Sequence, residues 1–433
     1  MGQAGLIAKT LAERVEMKPS AMSKFLHNKQ SIKLAQLDCI TEALGLPHAC
    51  LYESYVGECY NEETQRFRIE RCKEFILHCY QAGVLELAQS LLDALLEESK
   101  KHLKVVFEIA EELFATQHYE VALSLYERIR LIETNLLADH LSVSYLRYFQ
   151  IVRREFHRAI EPAIDLERFL PHLPTRETRM VAYLTLARHY HVMSDWIKME
   201  LYADLLRETA YGHDDSMYGY ALVLKGGALN EQARFEEAVV ICDQYAEIND
   251  EFREFARGNK LIYLVNMGKQ EYINDLISYA IRSKEIEGSF KPIMLYLWKH
   301  NKTEELGRYI STVAPILQPV KNLTSPLQQK YYLYFYYFKS LYHFEVNQQA
   351  EAMESILTAL QLADEVQDFL MMKQVNALYL KYSDCATSEQ SKRFIDRLLE
   401  GGDMDMKAKV FTFVAALVVT VGTIRWEDFG IGY

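Results

Sequence analysis

Between Leu11 and Ser31 the chain reads LAERVEMKPSAMSKFLHNKQS. Ser20, Ala21, Ser23 and Lys24 fall at spacings that place them along the outer face of one short helix, with Lys18 just before its start and Lys29 at its end. Small and hydroxyl-bearing side chains in the first half of a helix let it enter a nucleic-acid groove, where hydroxyls reach base edges and ammonium groups reach phosphates. A second set is spread along the rest of the chain: Tyr148, Arg188, His191, Asn230, Arg257, Lys260, Tyr334 and Tyr337. Asn and Arg suit the backbone and carboxylate of an extended peptide, and Tyr supplies a rigid apolar wall with a polar tip. Taken singly, each of these residues reads equally well as helix packing or surface.

The same search gives little for catalysis. There is no G-x-x-x-x-G-K-[ST], no H-E-x-x-H and no G-x-S-x-G, so an enzyme is not expected and no cofactor is implied. His189 and His191 flank Tyr190, and residues two apart on a helix point to different sides, so they make a poor metal pair. The seven cysteines form no C-x-x-C pair. An odd count in a large chain reads as reduced, mostly buried thiols of a cytoplasmic protein.

Two kinds of element must position these residues. In the opening stretch, Leu11 to Val15 reads as the end of one helix and Pro19 to His27 as a second, with Pro19 in its first turn. Ala12, Met17 and Met22 fall at the crossing of the two. Ile32 to Leu44 makes a further amphipathic helix, closed by Gly45 at a C′ position and Pro47. From Met1 to Tyr52 there are six basic and four acidic residues, a balance of +2 in a chain whose net charge is −12. An acidic body does not coat nucleic acid, whereas one basic module on such a body suits a local contact.

The remainder repeats a phrase. AEELFATQHYEVALSLYERI, LARHYHVMSDWIKMELYADLL, LKGGALNEQARFEEAVVICDQY and FKSLYHFEVNQQAEAMESILTAL each read as helix, polar turn, helix. The second helix opens at Leu85, Tyr119, Phe156, Trp196, Phe235, Tyr272, Glu305 and Gln349, spaced 33 to 44 residues apart. A small residue follows three positions on, as Ala88, Ala122, Ala159, Ala238 and Ala352. This is the period of a tetratricopeptide-type solenoid, in which no hairpin buries its apolar face alone and stacking creates a concave groove. The groove is expected to be lined by the first helix of each hairpin. The expected fold is all-α: residues 1–55 a helix-turn-helix head, 56–400 a right-handed solenoid of about eight hairpins, and 401–433 an apolar tail.

The phrases LAERVEMKPSAMSKFL and LDCITEALGLP resemble the Cro/repressor-type (XRE) helix-turn-helix, with the turn glycine and serine N-cap of that pattern held by Glu16 and Lys18. The pattern's first helix would lie largely ahead of Leu6, so the head is expected to be an incomplete copy, or one that borrows support from the solenoid or a second subunit. A Cro-type head on a tetratricopeptide body resembles the peptide-pheromone receptors of the RRNPP group, which include the arbitrium receptors. The resemblance implies a cytoplasmic, homodimeric quorum-sensing regulator of transcription. It would bind a double-stranded DNA operator through the head and a short signalling peptide in the groove, away from any membrane. Two alternatives stay open: a tetratricopeptide interaction protein that sequesters a partner and binds no DNA, or a DNA-binding regulator that senses no peptide.

The tail, MDMKAKVFTFVAALVVTVGTIRWEDFGIGY from Met404 to Tyr433, departs from all this. It reads as a segment docked on the last hairpin, as a membrane or partner tail, or as a propeptide-like sequence beginning at Met406 whose end mimics the ligand. On the last reading, deleting Met406 to Tyr433 raises affinity for added peptide.

Overall fold

The computed structural model describes residues 8–27, 32–61, 63–283 and 286–399. The apolar tail and Lys29 lie outside the described residues. Those residues form 22 α-helices and one two-residue β-hairpin, so the protein is essentially all-helical. The chain folds as two compact units, Met1–Ile151 and Val152–Tyr433. The division falls inside the run of hairpins read from the sequence, and the head shares a unit with the first of them.

Unit 1 opens with α1 (Ala8–Arg14), α2 (Pro19–Leu26), α3 (Leu34–Ala43) and α4 (Tyr52–Tyr55). Leu11, Ala12, Met17 and Met22 are buried where the short helices meet. The strands β1 (Tyr60–Asn61) and β2 (Arg66–Phe67) pair antiparallel, Tyr60 opposite Phe67. Then come α5 (Ile69–Gln81), α6 (Leu85–Glu98), α7 (Leu103–Ala115), α8 (Tyr119–Ile132) and α9 (Asp139–Val152). The head belongs to this unit because it is fastened to α5. Tyr52 and Tyr55 pack on the Phe75 ring at 5.7 and 4.8 Å. The Tyr52 hydroxyl donates to Asp38 Oδ1 at 2.8 Å, and His78 Nε2 lies 2.8 Å from Asp38 Oδ2.

Unit 2 continues with α10 (Ile160–Phe169), α11 (Arg176–Met193), α12 (Trp196–Ala210), α13 (Asp215–Glu231), α14 (Phe235–Ala246), α15 (Asp250–Asn266) and α16 (Ile273–Arg282). It ends with α17 (Phe290–Lys299), α18 (Thr303–Val313), α19 (Pro326–Glu345), α20 (Gln349–Glu365), α21 (Phe369–Lys381) and α22 (Ser388–Leu399). One core cluster joins Phe156 and Val192, near the start of the unit, to residues of α16 through α22.

The turns explain why the helices begin where they do. Among the described residues, short turns with a residue in the left-handed region join nine helix pairs: Glu16, Gly83, Gln117, Ser194, Ala233, Gly268, Asn301, Asn347 and Gln367, with φ between +51° and +92°. In each, the next N–H bonds back to the carbonyl five residues earlier, as in Arg234 to Leu229 at 2.9 Å and Gln348 to His343 at 2.8 Å. This six-to-one closure satisfies the orphan carbonyls of the first helix and fixes the start of the second. Tyr119, Trp196, Phe235 and Gln349 thus open helices. The small residues Ala88, Ala122, Ala159, Ala238 and Ala352 are all fully buried, which lets paired helices approach. Glycine does the same at Gly219, where an added Cβ would lie 2.3 Å from the Phe252 ring.

Candidate functional site

Two places gather side chains that no packing requirement explains. The first is the outer face of α2. Met22 is fully buried and turns that side of the helix inward. Lys18, Ser20, Ser23 and Lys24 are exposed, and Ala21 is half-buried. Lys18 is the N-cap residue and makes no side-chain cap bond, and Pro19 occupies the first turn. The hydroxyls and ammonium groups at this end of α2 are therefore held by the fold but not consumed by it. Glu16 adopts φ +53°, so it takes the left-handed conformation that the turn demands although it is not glycine.

The second is a cavity of about 1210 Å³ in unit 2. It is walled mainly by α11, α13, α15, α17 and α19. On α13, Tyr220, Val223, Leu224, Gly227, Asn230 and Glu231 line it, the three- and four-residue steps of one helix face. On α15 the lining runs through Glu251, Phe255, Asn259, Ile262, Tyr263 and Asn266. Asn230 is buried and accepts from Asn266 Nδ2 at 2.9 Å. Glu231 Oε2 pairs with Lys291 Nζ at 2.6 Å, and that ammonium lies 5.2 Å from the Tyr334 ring centre.

His191 stands between Trp196 and Tyr331, with ring centres 5.8 and 6.2 Å away. Burial, with the nearby charges of Lys330 and Lys291, pulls its pKa down to about 3. His189, packed on Phe156 and Tyr190, is pulled down to about 4 by burial and by Arg153. The two imidazoles face different surroundings and do not converge. Among the described residues, no group of three or more His, Cys, Asp or Glu side chains is placed to hold a metal ion.

Lys330 closes one end of the cavity. Its side chain is 3 % exposed. The ammonium donates to Val192 O and to Ser194 Oγ, at the end of α11, and lies 3.1 Å from Asp368 Oδ2. Asp368 also caps α21 by accepting from Met371 N at 3.0 Å. One buried cation thus joins α19, the end of α11 and the start of α21. Burial pushes its pKa below the usual lysine value while Asp368 pulls the other way.

Of the positions read from the sequence as groove-facing, Arg188, His191, Asn230 and Tyr334 line the cavity. The others lie elsewhere. Tyr148 belongs to unit 1, where the Arg130 guanidinium sits 4.0 Å from its ring centre. Arg257 is exposed and lies 6.0 Å from the Tyr279 ring. Lys260 donates to Asp243 Oδ1 at 2.7 Å, and Tyr337 packs against the large core cluster. The sequence reading had no place for Arg153, Arg154, Lys291 or Lys330, which also line the cavity. The adjacent pair Arg153-Arg154 was the one local signal for them.

No family model matches the chain, and no curated protein is significantly similar to it in sequence. Fold and sites define a broad class: a two-unit helical protein with a deep polar and aromatic cavity in its second unit. Among the described residues no helix is long and apolar enough to cross a membrane.

Proposed function

We propose that the protein is a DNA-binding transcription regulator, without catalytic activity, whose second unit binds a short signalling peptide in its cavity. In this reading α1 to α3 are a Cro/XRE-type helix-turn-helix, and the later helix pairs are a tetratricopeptide-type solenoid. The working form is a cytoplasmic homodimer on an operator. One observation carries the reading: Lys18, Ser20, Ser23 and Lys24 stand exposed at the N-terminal end of a helix whose opposite side is buried through Met22. That is the arrangement by which a recognition helix enters a major groove. The cavity supports the second half of the proposal. Asn230, Asn266 and Arg188 offer backbone-type hydrogen bonds, and Tyr220, Tyr331 and Tyr334 offer flat walls, as an extended peptide requires.

The test is DNA binding at low salt by fluorescence anisotropy, comparing the natural chain with Lys18→Gln/Lys24→Gln. If both ammonium groups meet phosphates, affinity falls at least tenfold and the log–log salt slope flattens by about two. Unchanged binding and slope sink the regulator reading and leave a partner-sequestering helical-repeat protein in its place. A small neighbouring reading frame encoding a secreted propeptide would supply the peptide to try in the cavity.

A further inference from the structure

The cavity is electrically lopsided. Six cationic residues line it, Arg153, Arg154, Arg188, Lys291, Lys299 and Lys330, against three acids, Glu231, Glu251 and Glu287. The chain as a whole carries a net charge of −12, so this is a local reversal of sign. At one end the charges are neutralised, Lys291 by Glu231 and Lys330 by Asp368. At the other end the guanidinium groups of Arg153 and Arg188 are not. Among the described residues Arg153 has neither a hydrogen bond nor an ion pair, and Arg188 has only the Tyr220 ring, 5.5 Å from its guanidinium. Glu251, the acid at this end, already accepts from the Tyr220 hydroxyl at 3.2 Å.

Elsewhere in unit 2, several arginines find acids even at the surface. Arg234 reaches Glu200 at 2.9 Å, Arg207 reaches Asp204 at 3.1 Å and Arg393 reaches Glu354 at 2.9 Å. Burial and the like charges of Arg188 and Arg154 hold the Arg153 guanidinium below its ordinary pKa. A cation whose pKa is depressed in the folded state costs stability wherever it is charged. Unneutralised guanidinium groups at the wall of a polar cavity are the chemistry that receives a carboxylate or phosphate.

We propose that Arg153 and Arg188 form an anion subsite that receives an acidic group of the cavity's ligand, a carboxylate or a phosphate. This rests on reading the cavity as a ligand site, and it adds the ligand's charge. A bound anion neutralises both guanidinium groups and removes the repulsion between them.

The test is thermal unfolding and calorimetric titration of the full chain with three probes: inorganic phosphate, triglutamate and trilysine. The expected result is a rise in Tm with phosphate or triglutamate and none with trilysine. Phosphate alone identifies a phosphate-bearing ligand, and triglutamate alone a carboxylate-bearing one. Arg153→Gln should raise the Tm of the unliganded protein and weaken anion binding at least tenfold. Arg188→Gln should weaken it similarly, and Arg234→Gln should not. Anion binding unaffected by either cavity variant, or no binding of either anion, overturns the subsite. A neutral peptide that binds equally well to both variants and to the natural chain would overturn it too, while leaving the peptide-sensing reading intact.

Discussion

The two candidate sites use cations in opposite ways. On α2, Lys18 and Lys24 stand in water with no partner among the described residues. In the cavity of unit 2, Lys330 is almost wholly buried and bound on three sides. A solvated ammonium adds little to the fold and is free to meet an external charge. A buried one must be matched, and the match becomes part of the fold. Substitutions on α2 are therefore read by binding assays, and substitutions around the cavity are read first by stability.

The largest expected effect follows from Lys330. Lys330→Ala leaves the Asp368 carboxylate buried without its counter-charge and frees the end of α11. Breaking such a pair from one side costs about 3–5 kcal/mol, measurable as a lower midpoint in urea unfolding. The double variant Lys330→Met/Asp368→Asn should recover much of that loss, because it buries no charge and Asn keeps the capping acceptor for α21. If Lys330→Ala is neutral, the contrast between the two sites collapses.

His189 and His191 give the next effect, and it depends on pH. An unfolded chain binds their protons near the ordinary histidine value of about 6.5. The folded chain does so only near 4 for His189 and near 3 for His191. The stability they contribute is complete above the unfolded value and is lost as pH falls through that window, by up to about 1.4 kcal/mol per pH unit for each imidazole. Urea unfolding at pH 7, 6 and 5 should show this decline, and His189→Phe/His191→Phe should flatten most of it. Carboxylates whose pKa lies below the ordinary value, such as Glu167, act at lower pH and leave this interval to the histidines.

How much of this was legible in the sequence follows from the range of the interactions. The helix pairs were, because the six-to-one turn and the small residue after it are local: Phe235 and Ala238 stand in one stretch of chain. The cavity lining was legible only by counting along helices, and an error of one residue turns a side chain by about 100°. Asn259 lines the cavity while Lys260, its neighbour, turns out to Asp243. Gly258 lines it while Arg257 does not. Lys330 was illegible for another reason. A lysine before YYLYFYYF reads as the wet end of an apolar helix, and its partners at Val192 and Ser194 lie 138 and 136 residues away. That the head shares a unit with the first hairpins was equally remote from local pattern, since it depends on the fastening of Tyr52 and Tyr55 to Phe75.

The smallest effect compares the two regions at one shared feature. Glu16 ends α1 with φ +53°, and Ala233 ends α13 with φ +61°. Both are L-residues with a Cβ in the left-handed region, which costs roughly 1–2 kcal/mol relative to a glycine that enters it freely. Glycine also gains freedom in the unfolded chain, so the net benefit is smaller. Glu16→Gly and Ala233→Gly should each stabilise the protein by about 0.5–1 kcal/mol, seen as a higher urea midpoint. In unit 2 the gain should leave anion binding unchanged, because Ala233, although it lines the cavity, carries no charge or polar side chain for an anion to meet. In the head, Glu16→Gly also removes an acid two residues before Lys18, so DNA binding at low salt should strengthen. If Glu16→Gly stabilises the fold and leaves DNA affinity untouched, the turn matters to the head only as structure, and the acid beside Lys18 does not face the phosphates.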